Sequence, residues 1–180
     1  MASTYSSTLN LELQASGENS GTWGTITNNN FTKMESAAKG YVSVAIASTT
    51  DSLTATDGTT ADEQSNAIIK LTGTLTGNTT MQCEAVENWY IVDNAATMGT
   101  YTLGFKPAGG TATNLVASSK HLLYSDGSTM FDVLEDAGNI KANGTLTVSG
   151  NTSLDGGTFV FNESSADVDF RIEGNGDANL

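Results

Sequence analysis

The sequence predicts a mainly β protein built in three parts. These are an N-terminal strand with one short α-helix, a small antiparallel β-sandwich or barrel, and a glycine-hexad β shaft suited to intertwining in a trimer. The prediction rests on short alternating apolar runs between Gly, Asn and Asp clusters, a single segment with helical apolar spacing, and glycines that return every six residues near the end.

Composition sets the constraint that any fold must meet. Leu, Ile, Val and Phe supply 36 of 180 residues and the net charge is −13, which lies at the edge of disordered composition. Only 15% of residues are charged, however, and the apolar ones alternate regularly, so an ordered β protein short of core is expected. Such a chain gains most by burying surface against copies of itself. The single Cys83 excludes an intrachain disulfide framework. Seven scattered cationic side chains against twenty acids repel nucleic acid and anionic membranes, so neither is an expected partner. The start, MASTYSSTLNLELQAS, has neither the basic nor the apolar region of a signal peptide. No run approaches the roughly 18 apolar residues of a membrane span, so a soluble protein without membrane insertion is expected.

Taken in order, Leu9, Leu11 and Leu13 alternate with polar neighbours and predict a strand over residues 5 to 14. A Gly- and Asn-rich break follows. Trp23, Ile26, Asn30, Met34, Ala37 and Tyr41 then recur at spacings of three and four, the period of an amphipathic helix. Ser20, Thr22 or Asn28 is the candidate N-cap and Gly40 the C′ residue. Gly24 in the first turn costs about 1 kcal/mol relative to Ala, which points to a later start or to close approach by a partner. Asn30 places a polar group in the middle of the apolar stripe.

From Tyr41 the runs YVSVAI, AIIKLT, MQCEA, WYIVD, YTLGFK, TNLVA, KHLLYS and MFDVL predict the strands of a β domain over residues 42–136. Asp126-Gly127 is a hairpin signal, Asp57-Gly58 marks a loop tip, and DSLTATDGTTADEQSN reads as an exposed loop. Over 137–180, glycines at 138, 144, 150 and 156 frame hexads whose apolar positions are filled by Ile140, Leu146, Val148, Leu154 and Val160. Those five residues are the expected shaft packing. One such layer cannot bury its apolar residue alone, whereas three chains wound together can. The chain stops at DANL as if opening a strand, so the shaft is expected to continue past Leu180.

Little in the sequence points to chemistry. Any Ser-His-Asp or Cys-His arrangement must use the one histidine, His121, which no nucleophile-elbow motif accompanies, so it reads as a strand-surface residue. Cys83 reads as a small buried hydrophobe. DGTTADE and SDGSTMFD place acids beside glycine turns as calcium loops do, but neither has EF-hand spacing and turn chemistry explains both. Trp89-Tyr90 would make a sugar-stacking platform if exposed, although its place in WYIVD favours core burial. No catalytic residue, cofactor or metal ligand is assigned.

The stretch SGTWGTITNNNFTKME resembles the W-G-x-x-x-N-x-N-[FL] segment near the N-terminus of many tailed-bacteriophage tail fibre and tail-appendage proteins, carried here by Trp23, Gly24, Asn28, Asn30 and Phe31. WYIVDNAATMGTYTLGFKPAGG and LLYSDGSTMFDV look like the β domain that follows it in marine phage fibres, and GTLTVSGNTSLDGG is similar to their shaft. The resemblance implies a structural virion protein without enzymatic activity, a homotrimer assembled in the host cytoplasm and located in the tail. Residues 1–41 would dock on an adaptor, nozzle or baseplate protein, and the distal part would reach a host surface receptor. Leu9, Leu11, Leu13, Trp23, Ile26, Asn30 and Met34 are the expected attachment and interface residues, with Asn30 setting register in a threefold seam or against the tail. The alternative is that Trp23 and Met34 pack the helix on the chain's own β domain while Asn30 caps or faces solvent. A head or neck fibre, a capsid-decorating protein and a polysaccharide-degrading tailspike are the alternatives.

Overall fold

A computed structural model describes residues 2–58 and 62–134, all within a compact unit that runs from Met1 to Asn139. Ile140, Leu146, Val148, Leu154 and Val160 lie outside the described residues. Among the described residues the fold is mainly β with one helix, as expected, and no barrel closes.

The N-terminal segment is a two-stranded antiparallel hairpin of β1 (Thr4–Tyr5) and β2 (Glu12–Leu13) rather than one strand over 5–14. The chain reverses between Ser6 and Leu11, where Asn10 takes a positive φ and the Ser6 hydroxyl accepts the Leu11 amide at 2.9 Å. Helix α1 (Trp23–Lys39) follows. Thr22 occupies the N-cap position, but its hydroxyl donates back to Asn19 and does not cap. The helix begins at Trp23, so the later start expected from Gly24 is not seen, and within the chain that glycine has open space around it. Gly40 ends the helix in an extended conformation, not in the left-handed one expected of a C′ glycine. Crowding explains it: a Cβ there would collide with the Asn66 side chain and the Ser36 carbonyl.

The remaining strands are β3 (Tyr41–Ala45), β4 (Thr50–Ser52), β5 (Ile68–Thr72), β6 (Thr79–Cys83), β7 (Glu87–Asn94), β8 (Leu103–Pro107), β9 (Thr113–Leu115), β10 (Lys120–Asp126) and β11 (Met130–Asp132). They form two sheets, ordered β11-β10-β7-β5-β3 and β4-β6-β8-β9. The expected antiparallel sandwich is therefore wrong at its centre. The chain alternates between the sheets, so β3, β5 and β7 run parallel in one while β4, β6 and β8 run parallel in the other. Each β3–β4, β5–β6 or β7–β8 pair is one coil of a short two-sheet solenoid, with about two dozen residues per coil. The corner between sheets is stacked as well, through a parallel bridge of Thr74 to Thr97. Only the later strands are antiparallel: β9 beside β8, β10 beside β7, and β11 joined to β10 through the Asp126-Gly127 hairpin.

Parallel register makes the core a set of columns. Val42 lies over Ile69 and Val92 in one sheet, while Met81 lies over Phe105 and Cys83 over Pro107 in the other. Tyr90 reaches across to Phe105 with ring centroids 5.6 Å apart. The segment expected as an exposed loop instead supplies most of β4, and Leu53, Asp62, Gln64 and Ser65 along it are buried. Because Leu71 is fully buried between coils, Leu71→Ala should cost about 2 to 5 kcal/mol in urea denaturation. Val116→Ala, at an exposed site, should stay within about 0.5 kcal/mol of the parent.

Candidate functional site

The expected attachment residues separate into two groups on α1. Trp23 and Met34 are 64% and 51% exposed, as is Phe31 beside them at 62%, whereas Ile26 and Asn30 are half-buried; Lys33 on the same helix is wholly buried. At about 100° per residue, Trp23, Thr27, Phe31, Met34 and Ala38 share one face and Lys33 points well away from it. The helix thus exposes an apolar stripe, and polar contacts fasten it from Asn30 at the margin of that stripe and from Lys33 on another side.

Asn30 is one of those fasteners. Its side-chain oxygen accepts the Glu12 amide and its side-chain NH2 donates to the Glu12 carbonyl, both at 2.9 Å. An amide side chain can offer one donor and one acceptor at strand spacing, so Asn30 pairs with β2 as a further strand would. The polar residue in the stripe is occupied within the chain, holding the hairpin to the helix.

Lys33 is the second fastener, and the sequence reading missed it. Its ammonium lies 2.5 Å from the Asp62 carboxylate and donates to the Thr56 carbonyl at 2.7 Å and the Asn10 carbonyl at 3.4 Å. Asp62 also accepts the Thr56 amide and the Ser65 hydroxyl. Every ammonium proton has an acceptor, which is the condition under which a buried charge is tolerated. One helix side chain thereby clamps the N-terminal turn and the stretch between β4 and β5. Of the predicted leucines, Leu9 and Leu11 are half-buried and Leu13 is exposed. Leu9 and Ala37 line one side of a cleft of about 380 Å³ whose other side is Trp89 and Tyr124.

Strand alternation divides the Trp89-Tyr90 pair: Tyr90 is fully buried and Trp89 is 48% exposed, so the expectation of core burial holds for the tyrosine alone. Burial pushes the Tyr90 hydroxyl well above its usual range, and Asn88 donates to it at 3.0 Å. Desolvation likewise raises the Cys83 thiol to about 11, far from a reactive thiolate.

His121 faces inward, contrary to the expected surface position, because β10 turns His121, Leu123 and Ser125 toward the core. Its Nε2 accepts the Val116 amide at 3.1 Å, so the ring proton sits on Nδ1 and is donated to Asp132 at 2.5 Å. The nitrogen that a general base would use is thus held by backbone. Among the described residues no group of three or more His, Cys, Asp or Glu side chains is placed to hold a metal ion. In SDGSTMFD, Asp126 caps its own turn by accepting the Ser128 and Thr129 amides, which lower its pKa. No described helix is long and apolar enough to cross a membrane.

No family model, curated protein or solved structure matches this chain.

The buried ion pair sets a measurable asymmetry. Lys33→Met alone, which strands the Asp62 charge, should cost about 3 to 5 kcal/mol in chemical denaturation. The double change Lys33→Met with Asp62→Leu should recover part of that loss, giving a favourable coupling energy in the mutant cycle.

Proposed function

We propose that this chain is a structural virion protein, a homotrimeric tailed-phage tail fibre whose N-terminal region docks on an adaptor, nozzle or baseplate protein. The observation that carries the reading is the helix face bearing Trp23, Phe31 and Met34, exposed on a helix that Asn30 and Lys33 lock to the rest of the chain. Large exposed aromatic and thioether side chains on a rigid element suit anchoring in a partner's pockets. Three copies on one fibre would add avidity, so each contact can be individually weak. The distal part would serve the host receptor, and assembly would take place in the host cytoplasm. The role requires no catalysis, which fits a histidine and a cysteine both engaged in the core.

Because the three stripe residues are exposed, replacing them together by Ala should leave the circular dichroism spectrum unchanged and cost no more than about 0.5 kcal/mol each. Incorporation into particles, read by immunoblot of purified virions, should fall sharply. Normal incorporation would move docking elsewhere in the chain. The purified protein should release no reducing ends from host capsular or lipopolysaccharide sugars, and depolymerisation that a single carboxylate change abolishes would favour a tailspike.

A further inference from the structure

The outer side of the five-stranded sheet carries its side chains in straight rows. Tyr41 pairs with Ile68, Ile68 with Ile91 and Ile91 with Leu122, and the Val133 amide bonded to the Leu122 carbonyl carries the row past β11. One step along the strands, Trp89 lies opposite Tyr124 and Tyr124 opposite Phe131, the last two rings nearly parallel at 18°. Charged rows bound this apolar band. Ser43, Lys70, Asp93 and Lys120 lie on one side, with Lys120 and Asp93 paired at 3.5 Å, and Glu87 lies opposite Asp126 on the other.

A sheet with one solvated face normally turns polar residues outward. Strand β10 does the reverse: His121 and Ser125 point in, while Leu122 and Tyr124 point out. Tyr41, Trp89, Phe131 and Val133 add large exposed apolar groups on the same face. Contiguous exposure on this scale marks a surface that is covered in the working protein.

We infer that another copy of this chain covers it, sheet against sheet. The inference rests on the fibre reading, which brings copies together. Strand β11 lies at the edge of this face, and from Leu134 the sequence runs on through the glycine hexads suited to winding chains around one another. A copy tethered there is present at high effective concentration, so a contact of modest strength suffices. The apolar band favours the same occupant. A second copy running in the same direction sets apolar rows on apolar rows and brings Lys70 and Lys120 to the level of the neighbour's Asp93, while Glu87 and Asp126 come level with the neighbour's acids, so the apolar rows and not charge carry the contact. A nucleic acid or anionic surface would instead meet Glu87 and Asp126.

Thiol accessibility tests this, because Cys83 is buried with a raised pKa and gives a silent background. Leu122→Cys places a reporter on the face, and Val116→Cys places one at an exposed site away from it. In the full-length oligomer Cys at 122 should react with a chromogenic disulfide at least tenfold more slowly than Cys at 116, equivalent to about 1.4 kcal/mol of protection. Leu122→Glu with Ile91→Lys should shift light scattering toward smaller species without loss of β circular dichroism. Equal reaction rates in an oligomeric protein would overturn the inference and leave the fibre reading standing. Protection that appears only in assembled particles, or that persists in a monomeric species, would assign the face to a virion partner or to the chain's own later residues and overturn it too. A monomeric parent protein would bring down the fibre reading itself.

Discussion

In-register stacking of parallel strands is the constraint on which the rest of the fold depends. A chain with a fifth of its residues drawn from Leu, Ile, Val and Phe cannot fill a wide core. A two-sheet solenoid needs only a narrow one, since each inward residue packs on its counterparts in adjacent coils as well as across the gap between sheets. The columns Val42–Ile69–Val92 and Met81–Phe105 show the economy of that arrangement. Small and polar residues fill the corners, where the Thr97 amide donates to the Gly73 carbonyl and the Thr97 carbonyl accepts the Leu75 amide. Thr, Ser, Gly and Asn are then compatible with order, because the coil turns ask for hydrogen bonding and tight backbone more than for apolar volume.

Stacking also requires that irregular stretches between coils be held down, and here the protein relies on charge. The path from β4 to β5 is the longest connection in the solenoid and has little apolar content of its own. Lys33 and Asp62 organise it from within, binding the carbonyls of Thr56 and Asn10 and the amide of Thr56. Gln64 and Glu84 form a second polar clasp, the Glu84 amide donating to the Gln64 side chain at 2.6 Å while the Gln64 NH2 donates to the Glu84 carboxylate. Buried polar groups of this kind add less net stability than apolar packing would, but they accept only one geometry. Specificity is what a connection without a hydrophobic pattern lacks.

Strand existence was largely legible in the sequence, and strand direction was not. Every predicted run from YVSVAI to MFDVL contains or overlaps a strand, because alternation reports a pleated, half-buried segment whichever way its neighbour runs. Parallel pairing leaves no mark in that period, and the coil repeat is obscured by the longer β4–β5 connection. Face assignment failed for a related reason. KHLLYS contains apolar residues at both parities, so nothing local states that Leu122 faces out and His121 in. Lys33 was invisible because a lysine beside Phe31 and Met34 ordinarily marks a solvated face, and its partner Asp62 lies far along the chain. Strand β4, with the sequence TDS, has no propensity signal; its pairing with β6 comes from the coil geometry.

The helix can work as an anchor only if force applied to its outer stripe reaches the solenoid, and the bonding supplies that path. Beyond the Asn30 and Lys33 contacts, the Ser36 carbonyl accepts the Ala67 amide and the Gly40 carbonyl accepts the Ile68 amide. The end of the helix is therefore bonded to the start of β5 while its own chain continues directly into β3, the strand paired with β5. Bulk at residue 40 would prise these segments apart, which is why a glycine with an ordinary extended backbone is needed there. A pull on Trp23 or Met34 is shared among a buried ion pair, a side-chain-to-strand pairing and the first parallel ladder, instead of falling on one flexible hinge. That division of load is what separates a helix built into the solenoid from an amphipathic tail that merely precedes one.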